Sequence, residues 1–359
     1  MNLVTIHIDT ERTWRGGEAQ ALHLVRGLQR AGGTPIAVGQ PGSPFVEKAR
    51  AAGVETAAVR MRGEADLLAA MRIGRLARRR SARILHAHTA HAGALALLAA
   101  KVCRARVVIA RRVDFPVRGA WKYGKGVSRI LAISEAVRSV LIAGGVEPGR
   151  ISVVHSGIDI APIDEAAPID IRAEFGLEAS AFMIGNVAHF ADHKGQCDLV
   201  DAMALVLEKH REARLVFVGD GELRESLAAQ AKRLGIGQAV VFAGFRNDVP
   251  GLLKALDLFV MSSRMEGLCT SLMDAMAARR PIVATRAGGI PEVVTDGQDG
   301  ILVPPRDPAS LAKAIVSLIE DRALAGRLAE NARGTVERKF SAQAMVEGTL
   351  AVYREILGL

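Results

Sequence analysis

The sequence SSRMEGLCTSLMDAMAARRPIVAT, residues 262–285, holds two acidic side chains, Glu266 and Asp274, that are eight positions apart. The apolar residues 256–261 before it are typical of a buried strand in a parallel sheet. Good helix formers follow from about residue 269 to residue 279, and a proline stops them before the next apolar segment. We therefore expect Glu266 in the loop at the carboxyl end of a strand, and Asp274 about two turns into the next helix.

The first turn of this helix is predicted to bind an anion, because the backbone N–H groups of residues 268–271 have no partner within the helix. Such a turn suits the phosphates of a nucleotide diphosphate. Glu266 would then face the group beyond the phosphates, and Asp274 would reach the ribose hydroxyls. The same pattern also fits a plain amphipathic helix with one acid in the loop before it and one solvated acid on it.

Together with its continuation, AGGIPE at residues 287–292, the stretch closely resembles the signature of the family 4 retaining glycosyltransferases, also called glycosyl transferases group 1. That signature is Glu, seven residues, Glu, a strand, and then Gly-Gly-x-Pro-Glu. Glu266 matches the first glutamate, and Asp274, a shorter acid, replaces the second. The resemblance implies the α/β class and the GT-B architecture, in which two Rossmann-like, doubly wound parallel-sheet domains face a central cleft.

Strand and helix patterns that alternate along the chain also predict doubly wound parallel sheets. We assign residues 1–160 and 342–359 to an acceptor-binding domain, whose last helix returns from the C-terminus as the resemblance implies. Residues 170–341 are assigned to the nucleotide-sugar-binding domain, and the Pro- and Asp-rich residues 160–171 are interpreted as a linker. Ligands of such sheets bind at the carboxyl ends of the strands, so the loops there are candidate sites.

In the C-terminal half, the resemblance assigns the donor diphosphate to Lys194 and to His189, which replaces the arginine that relatives usually carry. Lys194, His189 and Glu266 form the predicted catalytic set. Residues 243–250 correspond to the loop that cradles the nucleobase. With a glycine pair from the N-terminal half, the predicted donor-binding set is Gly16, Gly17, Gly244, Phe245, Arg246, Gly267, Leu268, Cys269, Thr270, Ser271 and Asp274.

The glycine pair, Gly16 and Gly17, lies between the first predicted strand and the first predicted helix. Glycines there allow a ligand close to the backbone, and the helix N-terminus behind them favours an anion. A plain tight turn is the alternative. His86 and His88 alternate at a strand end and could share a face, but no third ligand is evident, so no metal is predicted.

A structural role or a contact with the acceptor is expected for these histidines instead, and His88 is placed in the acceptor-binding set together with Arg111 and Arg112. Many relatives end the corresponding strand with a histidine near the transferred sugar, and the two arginines stand in its place. Arginine binds carboxylate and phosphate through two parallel hydrogen bonds, which indicates a negatively charged group on the acceptor.

Composition and charge place further limits on the function. The three cysteines are scattered, no apolar run is long enough to span a membrane, and the N-terminus lacks a signal-peptide pattern, so a cytoplasmic location is expected. Residues 1–150 hold 25 Lys and Arg against 10 Asp and Glu, whereas the remainder holds 22 against 28. The basic residues form two clusters: Arg72, Arg75, Arg78, Arg79, Arg80 and Arg83, and then Lys101, Arg104, Arg106, Arg111, Arg112, Arg118, Lys122, Lys125 and Arg129.

These basic clusters suggest peripheral docking on the inner face of an anionic membrane, although solvated arginine on an Arg-rich chain is the alternative. The sequence thus predicts a retaining, metal-independent glycosyltransferase. It would move a sugar from a nucleotide-diphosphate sugar, without a cofactor, to a hydroxyl of a lipid-linked or envelope-glycan acceptor such as lipopolysaccharide core or polysaccharide. Two alternatives stay open: an inverting GT-B transferase or nucleotide-sugar epimerase with a base among Asp9, Glu11 and Asp114, and a non-enzymatic nucleotide or nucleic-acid binder. Nucleic acid is not expected, because few aromatic residues accompany the basic ones.

Overall fold

The computed structural model of the protein describes residues 3–117 and 120–359. Arg118, which the sequence analysis placed in the second basic cluster, lies outside the described residues. The chain divides into two compact units, Met1–Ile158 with Ser341–Leu359, and Asp159–Phe340. Within the described ranges no helix is both long enough and apolar enough to cross a membrane.

Strands and helices alternate along the described chain. The strands are β1 (Val4–Ile8), β2 (Thr34–Gly39), β3 (Glu55–Ala58), β4 (Ile84–Ala87), β5 (Arg106–Arg111), β6 (Val127–Ala132), β7 (Ile151–Val153), β8 (Phe182–Val187), β9 (Ala213–Val218), β10 (Val240–Gly244), β11 (Leu258–Met261), β12 (Ile282–Thr285) and β13 (Ile301–Val303). The helices are α1 (Gly16–Arg30), α2 (Pro44–Ala51), α3 (Leu67–Arg79), α4 (Ala90–Ala100), α5 (Glu135–Ala143), α6 (Ala161–Glu165), α7 (Ile171–Glu174), α8 (Gln196–Lys209), α9 (Arg224–Arg233), α10 (Val249–Ala255), α11 (Thr270–Ala277), α12 (Ile290–Val293), α13 (Pro308–Glu320), α14 (Arg322–Lys339) and α15 (Ala342–Leu357).

Each unit is built on one parallel sheet, so the α/β prediction with two doubly wound sheets is confirmed. The first sheet has the order β3-β2-β1-β4-β5-β6-β7, and the second has the order β10-β9-β8-β11-β12-β13. The strand order reverses between β1 and β4 in the first sheet and between β8 and β11 in the second. Such reversals separate the neighbouring loops and create the crevice in which ligands of these sheets bind.

Apolar strands and one apolar helix face build the core of each unit. In the second unit α8 and α13 cover the sheet with side chains such as Leu199, Met203 and Ile315, all of them fully buried. In the first unit α15 returns to the sheet, and its Tyr353 is fully buried against residues of α1, β4 and β5. Burial of apolar surface on both faces explains why these strands are continuous apolar runs.

Three local predictions differ from the structure. Residues 160–171, interpreted as a linker, contain the short helix α6, because the proline of Ala161–Glu165 lies in its first turn, where a proline needs no N–H partner. The predicted elements also left out the helices α2, α5, α7 and α12 and the strand β13. Helix α11 begins only at Thr270, because Cys269 before it has a left-handed backbone with φ of 60°, so Asp274 lies about one turn into the helix, not two.

Candidate active site

Three loops meet at the carboxyl ends of β8, β11 and β12 in the second unit. Backbone hydrogen bonds join the first two: Arg264 N and Met265 N donate to the carbonyl of His193 over 2.8 and 3.2 Å. Ser262 Oγ donates to the carbonyl of Lys194 over 3.1 Å. These bonds fix the loop that carries Lys194 against the loop that carries Glu266.

The side chains of Lys194 and Glu266 form an ion pair, with Nζ 2.5 Å from Oε2. Both side chains are mostly buried, at 18% and 11% exposed. Ser263 Oγ lies 3.3 Å from the same carboxylate oxygen. The structure therefore brings together two of the three predicted catalytic residues.

The Gly-Gly pair after β12 packs directly on the Glu266 backbone. Gly289 N donates to the Glu266 carbonyl over 2.9 Å, and a Cβ on Gly288 would lie 1.8 Å from that same oxygen. Gly288 also has a φ of 50°, in the left-handed region that glycine tolerates best. The two glycines are thus needed for the loop around Glu266 to fold in this way, whatever ligand the site binds.

Helix α11 presents its N-terminus beside this loop. Cys269 before it is buried, and burial raises the pKa of its thiol to about 12, which leaves the thiol neutral. Leu268 is buried as well, so only its backbone and that of Gly267 can reach a ligand. The first turn begins with Thr270 and Ser271, whose N–H groups are oriented to favour an anion.

Asp274 lies on the same helix, and its side chain is partly accessible. Among the residues that the structure describes, none forms a hydrogen bond or an ion pair with its carboxylate. Burial alone raises the pKa of Asp274 to about 7. A partly buried carboxylate without a protein partner is unfavourable in the free protein, so a ligand hydroxyl or a proton would stabilise it.

The third predicted catalytic residue, His189, is more exposed than the other two. Its side chain is 53% exposed, and its Nε2 lies 3.4 Å from Glu222 Oε2. Arg264, a cation that was not among the predicted site residues, stabilises the loop that carries Lys194. Its guanidinium binds both carboxylate oxygens of Asp198, at 2.8 and 2.9 Å, and Asp192 at 2.7 Å. These bonds raise the pKa of Arg264 further, so it is a permanent cation that already has acidic partners.

The predicted nucleobase loop follows β10. Gly244 has a φ of 69°, and the Phe245 side chain is 68% exposed. The Arg246 guanidinium is already engaged, because it donates to Asp248 over 2.7 and 2.8 Å and also binds Glu174. The resemblance implies that this loop contacts the nucleobase largely through its backbone, which these ion pairs leave free, so its role in donor binding stays a prediction.

In the first unit the loop after β1 leads into α1, which begins at Gly16. Asp9 follows β1, and its Oδ1 accepts a hydrogen bond from Glu11 N over 2.9 Å, whereas its buried Oδ2 has no partner among the described residues. Burial raises the pKa of Asp9 to about 6 and also raises that of Glu18, whose carboxylate accepts from Arg15 N over 2.7 Å. This loop therefore holds two acids that bind protons more tightly than usual.

A third buried histidine, His7, joins His86 and His88, and the sequence analysis missed it. Register could have revealed it, because His7 of β1 pairs directly with His86 of β4. The candidate nitrogen atoms of the three rings lie within 4.8 Å of one another. Burial lowers the pKa of all three, that of His7 to about 3, so the rings are neutral.

Hydrogen bonds already use most of these ring nitrogens. Arg112 Nη2 lies 3.0 Å from His88 Nδ1, and because a guanidinium only donates, this nitrogen accepts. His88 Nε2 then donates to His7 Nδ1 over 3.0 Å, and His7 Nε2 donates to Thr5 Oγ1 over 2.9 Å. His86 Nδ1 pairs with the Tyr353 hydroxyl at 2.6 Å. Because this chain of hydrogen bonds ends on the positively charged Arg112 guanidinium, the three histidines are better suited to a network of neutral rings than to a metal-cation site.

The two predicted acceptor arginines differ in their surroundings. Arg111 is tied to its own loop, since its Nη2 donates to the Phe115 carbonyl over 2.5 Å. Arg112 lies under the start of α1, where a Cβ on Gly17 would be 3.8 Å from its Cδ. Burial lowers the pKa of Arg112 to about 10, while the nearby Asp9 and Glu18 oppose that shift. Arg112 is therefore the arginine that shares a site with the glycine pair and His88.

Comparison with known proteins identifies the family and supports the fold. Residues 169–335 match the family model described as glycosyl transferases group 1, and residues 14–161 match the one described as glycosyltransferase family 4. The chain is 30% identical over 289 residues to EpsD of Bacillus subtilis (strain 168), which is named as a glycosyltransferase; the match covers 75% of this chain and 76% of EpsD. It is 34% identical over 179 residues to LpsE of Rhizobium meliloti (strain 1021), a lipopolysaccharide core biosynthesis glycosyltransferase, covering 50% and 52% of the two chains.

Among solved structures, HepE of Anabaena in complex with UDP and glucose superposes with a TM-score of 0.84 at 21% identity, over 99% of this chain and all of that one. The fold and the site thus define a glycosyltransferase of the GT-B type. The chain belongs to glycosyltransferase family 4, the glycosyl transferases group 1, as its motifs predicted.

Proposed function

We propose that this protein is a retaining glycosyltransferase that moves a sugar from a nucleotide-diphosphate sugar to a hydroxyl of a lipid-linked or envelope-glycan acceptor. The observation that carries the proposal is the Lys194–Glu266 ion pair beside the α11 N-terminus, with Asp274 unpartnered one turn away. A cation and a helix N-terminus bind phosphate, and two acids bind hydroxyls. Together they match the parts of a sugar nucleotide.

In this proposal Lys194 and the N–H groups of Thr270 and Ser271 stabilise the negative charge that grows on the departing diphosphate. Glu266 binds hydroxyls of the transferred sugar, and Asp274 accepts hydrogen bonds from the ribose. His189 contacts the diphosphate from the position where relatives have arginine. The ion pair between Lys194 and Glu266 lengthens when the diphosphate binds Lys194.

The transfer breaks the bond between the sugar anomeric carbon and the phosphate oxygen, and forms a bond from that carbon to the acceptor oxygen. In the retaining course both events occur on one face of the sugar. The acceptor proton then passes to the leaving phosphate oxygen, so no side-chain base and no metal ion is needed. UDP and glucose occur with HepE, and UDP sugars are therefore the first donors to test.

For the acceptor, we propose an envelope glycan that carries a carboxylate or phosphate. LpsE is named for lipopolysaccharide core biosynthesis, which supports this class. Arg112, next to Gly17 and His88, is the side chain that would bind the anionic group, because the Arg111 guanidinium is held by its own loop through the Phe115 carbonyl. We place the protein peripherally at a membrane, where lipid-linked acceptors reside.

A second candidate function, inversion, is favoured by one observation. Asp9 has a buried carboxylate oxygen without a described partner and a pKa raised to about 6, which suits a general base. In that mechanism Asp9 would take the acceptor proton, and the product would have the opposite anomeric configuration. The configuration of the released sugar separates the two candidates.

Thermal shift with nucleotides and nucleotide sugars tests the proposed donor class, because a ligand that binds only the folded state raises the melting temperature. We expect one nucleoside diphosphate and its sugar conjugates to stabilise the wild-type protein, and Lys194→Ala to lose most of that shift. Lys232→Ala, an exposed lysine on α9, serves as the matched control and should keep the shift. Absence of any shift across UDP, GDP and ADP sugars would contradict the proposal.

A further inference from the structure

The outer face of α3 in the first unit exposes large apolar side chains beside arginines. Leu67 and Leu68 are 63% and 62% exposed, and Met71 is 36% exposed. Further along the same helix four arginines are exposed, namely Arg72, Arg75, Arg78 and Arg79. Exposure of two adjacent leucines to water is unfavourable, and a neighbouring apolar phase that covers them would remove this cost. Basic residues next to them are typical of surfaces that bind such a phase at an anionic interface.

A broad groove continues this face at the edge of the sheet where β4 and β5 begin. Its volume is about 980 Å³. Five cationic side chains line it: Arg78, Arg83, Lys101, Arg104 and Arg106. Its lining also includes apolar side chains of Val102, Ile356 and Leu357, and no acidic residue of the described chain contributes to it. This edge is opposite to the carboxyl ends of the strands, so the groove is separate from the site of His88 and Arg112.

The charge of this surface is not balanced within the described chain. None of the five groove cations forms an ion pair with a described carboxylate, and neither do Arg72, Arg75 and Arg79 of α3. Neighbouring basic residues differ, because Arg80 pairs with Glu55, Lys122 with Glu64 and Arg129 with Glu355. The described part of the second basic cluster is therefore not one surface: the Arg112 guanidinium is buried, and of the described members only Lys101, Arg104 and Arg106 line the groove.

We infer that the outer face of α3 and the adjoining groove form a docking surface for a bilayer rich in anionic phospholipid. Leu67, Leu68 and Met71 enter the interface between head groups and acyl chains, and the groove cations bind lipid phosphates. The leucines favour a bilayer over nucleic acid, which offers no apolar phase for them. The inference deepens the membrane-linked acceptor of the proposed function, but it concerns a separate surface and is tested without catalysis.

Co-sedimentation of the full chain with vesicles tests it, using phosphatidylglycerol mixed with phosphatidylcholine, and phosphatidylcholine alone, at low and physiological salt. We expect binding to the anionic vesicles only. The variants Leu67→Ser with Leu68→Ser, and Arg78→Glu with Arg104→Glu, should each weaken it by roughly tenfold or more. Arg224→Glu with Arg233→Glu, two exposed arginines of α9 in the second unit with the same change of charge, is the control and should bind as wild type.

Other ligands of this surface would give different results in these binding experiments. Equal pelleting with both vesicle types, or full binding by the leucine variant, would overturn the inference. Stabilisation by inorganic phosphate without vesicle binding would assign the groove to a free anion instead. Binding of duplex DNA that depends on the arginines but not on the leucines, again without vesicle binding, would assign it to nucleic acid. Thermal shift with nucleotide sugars should be unchanged in every variant, so a failure of the donor assignment is recognised separately.

Discussion

Lys194 Nζ lies 2.5 Å from Glu266 Oε2, and both side chains are more than four-fifths buried, so each neutralises the charge of the other in the free protein. A diphosphate would compete for the lysine and release the carboxylate toward the sugar. Breaking one side of such a pair leaves an unbalanced, mostly buried charge. The pair is therefore both a structural contact and the part of the site that a donor would rearrange.

Glu266→Gln should leave the fold intact and reduce kcat by roughly a hundredfold or more, because the amide lacks the charge that acts in the transition state. Steady-state kinetics, with circular dichroism as a check of folding, measure this. Glu222→Gln, which changes an exposed acid beside His189, is the matched control and should retain nearly full kcat. Equal kcat for Glu266→Gln and wild type would remove Glu266 from the reaction.

Asp274→Asn should weaken donor binding by about tenfold to a hundredfold, since a charged acceptor of ribose hydrogen bonds is lost at a cost of about 1–3 kcal/mol. Isothermal titration with the nucleoside diphosphate identified by thermal shift measures this. Unchanged affinity would support the alternative of an acid on an amphipathic helix without a ligand. Glu208→Gln, an exposed acid on α8, is the control.

The same variant tests a pH dependence of stability. The pKa of Asp274 rises from 3.8 to about 7 on folding, so the folded protein holds this proton more tightly than the unfolded chain. Stability is therefore lost as pH rises from about 4 to about 7, by at most roughly 4 kcal/mol. We expect Asp274→Asn to be more stable than wild type at pH 8 and no more stable at pH 4. Denaturant unfolding at both pH values measures this, and an equal difference at the two would contradict it.

His189→Arg restores the residue that relatives carry, and it should keep or strengthen donor affinity, because a guanidinium binds phosphate through two parallel hydrogen bonds. His189→Gln should bind the donor more weakly than His189→Arg, because the amide carries no positive charge. Donor titrations of the three proteins at one pH measure both effects. Affinity that is equal in all three proteins would show that His189 does not contact the diphosphate.

Chelator should leave transfer activity unchanged, because five of the six ring nitrogens of His7, His86 and His88 take part in hydrogen bonds and a guanidinium ends their chain. Activity measured after dialysis against a chelator tests this, and melting with and without added Zn²⁺ is an independent measurement. Loss of activity restored by one divalent ion, or a clear stabilisation by Zn²⁺, would contradict the metal-free account.

Sequence patterns were sufficient for the parts of the fold and site that depend on local order. The strands, the long helices and the loop positions of Glu266 and Lys194 follow from apolar periodicity and from motif spacing. Contacts between distant segments were not predictable in this way. His7 lies opposite His86 because of the register of β1 and β4, and Tyr353, near the C-terminus, forms a hydrogen bond with His86. Glu174 forms an ion pair with Arg246, which is distant in sequence. The left-handed Cys269, which shortens α11, also left no pattern in the sequence.

The configuration of the sugar that the enzyme releases tests the central claim most directly. In the absence of acceptor, a transferase slowly hydrolyses its donor, and proton NMR identifies the anomer formed first, before mutarotation. With an α-linked sugar nucleotide as donor, we predict that the α-anomer appears first and that Glu266→Gln abolishes its formation. First release of the β-anomer would contradict a retaining reaction and would favour Asp9 as the base of an inverting one.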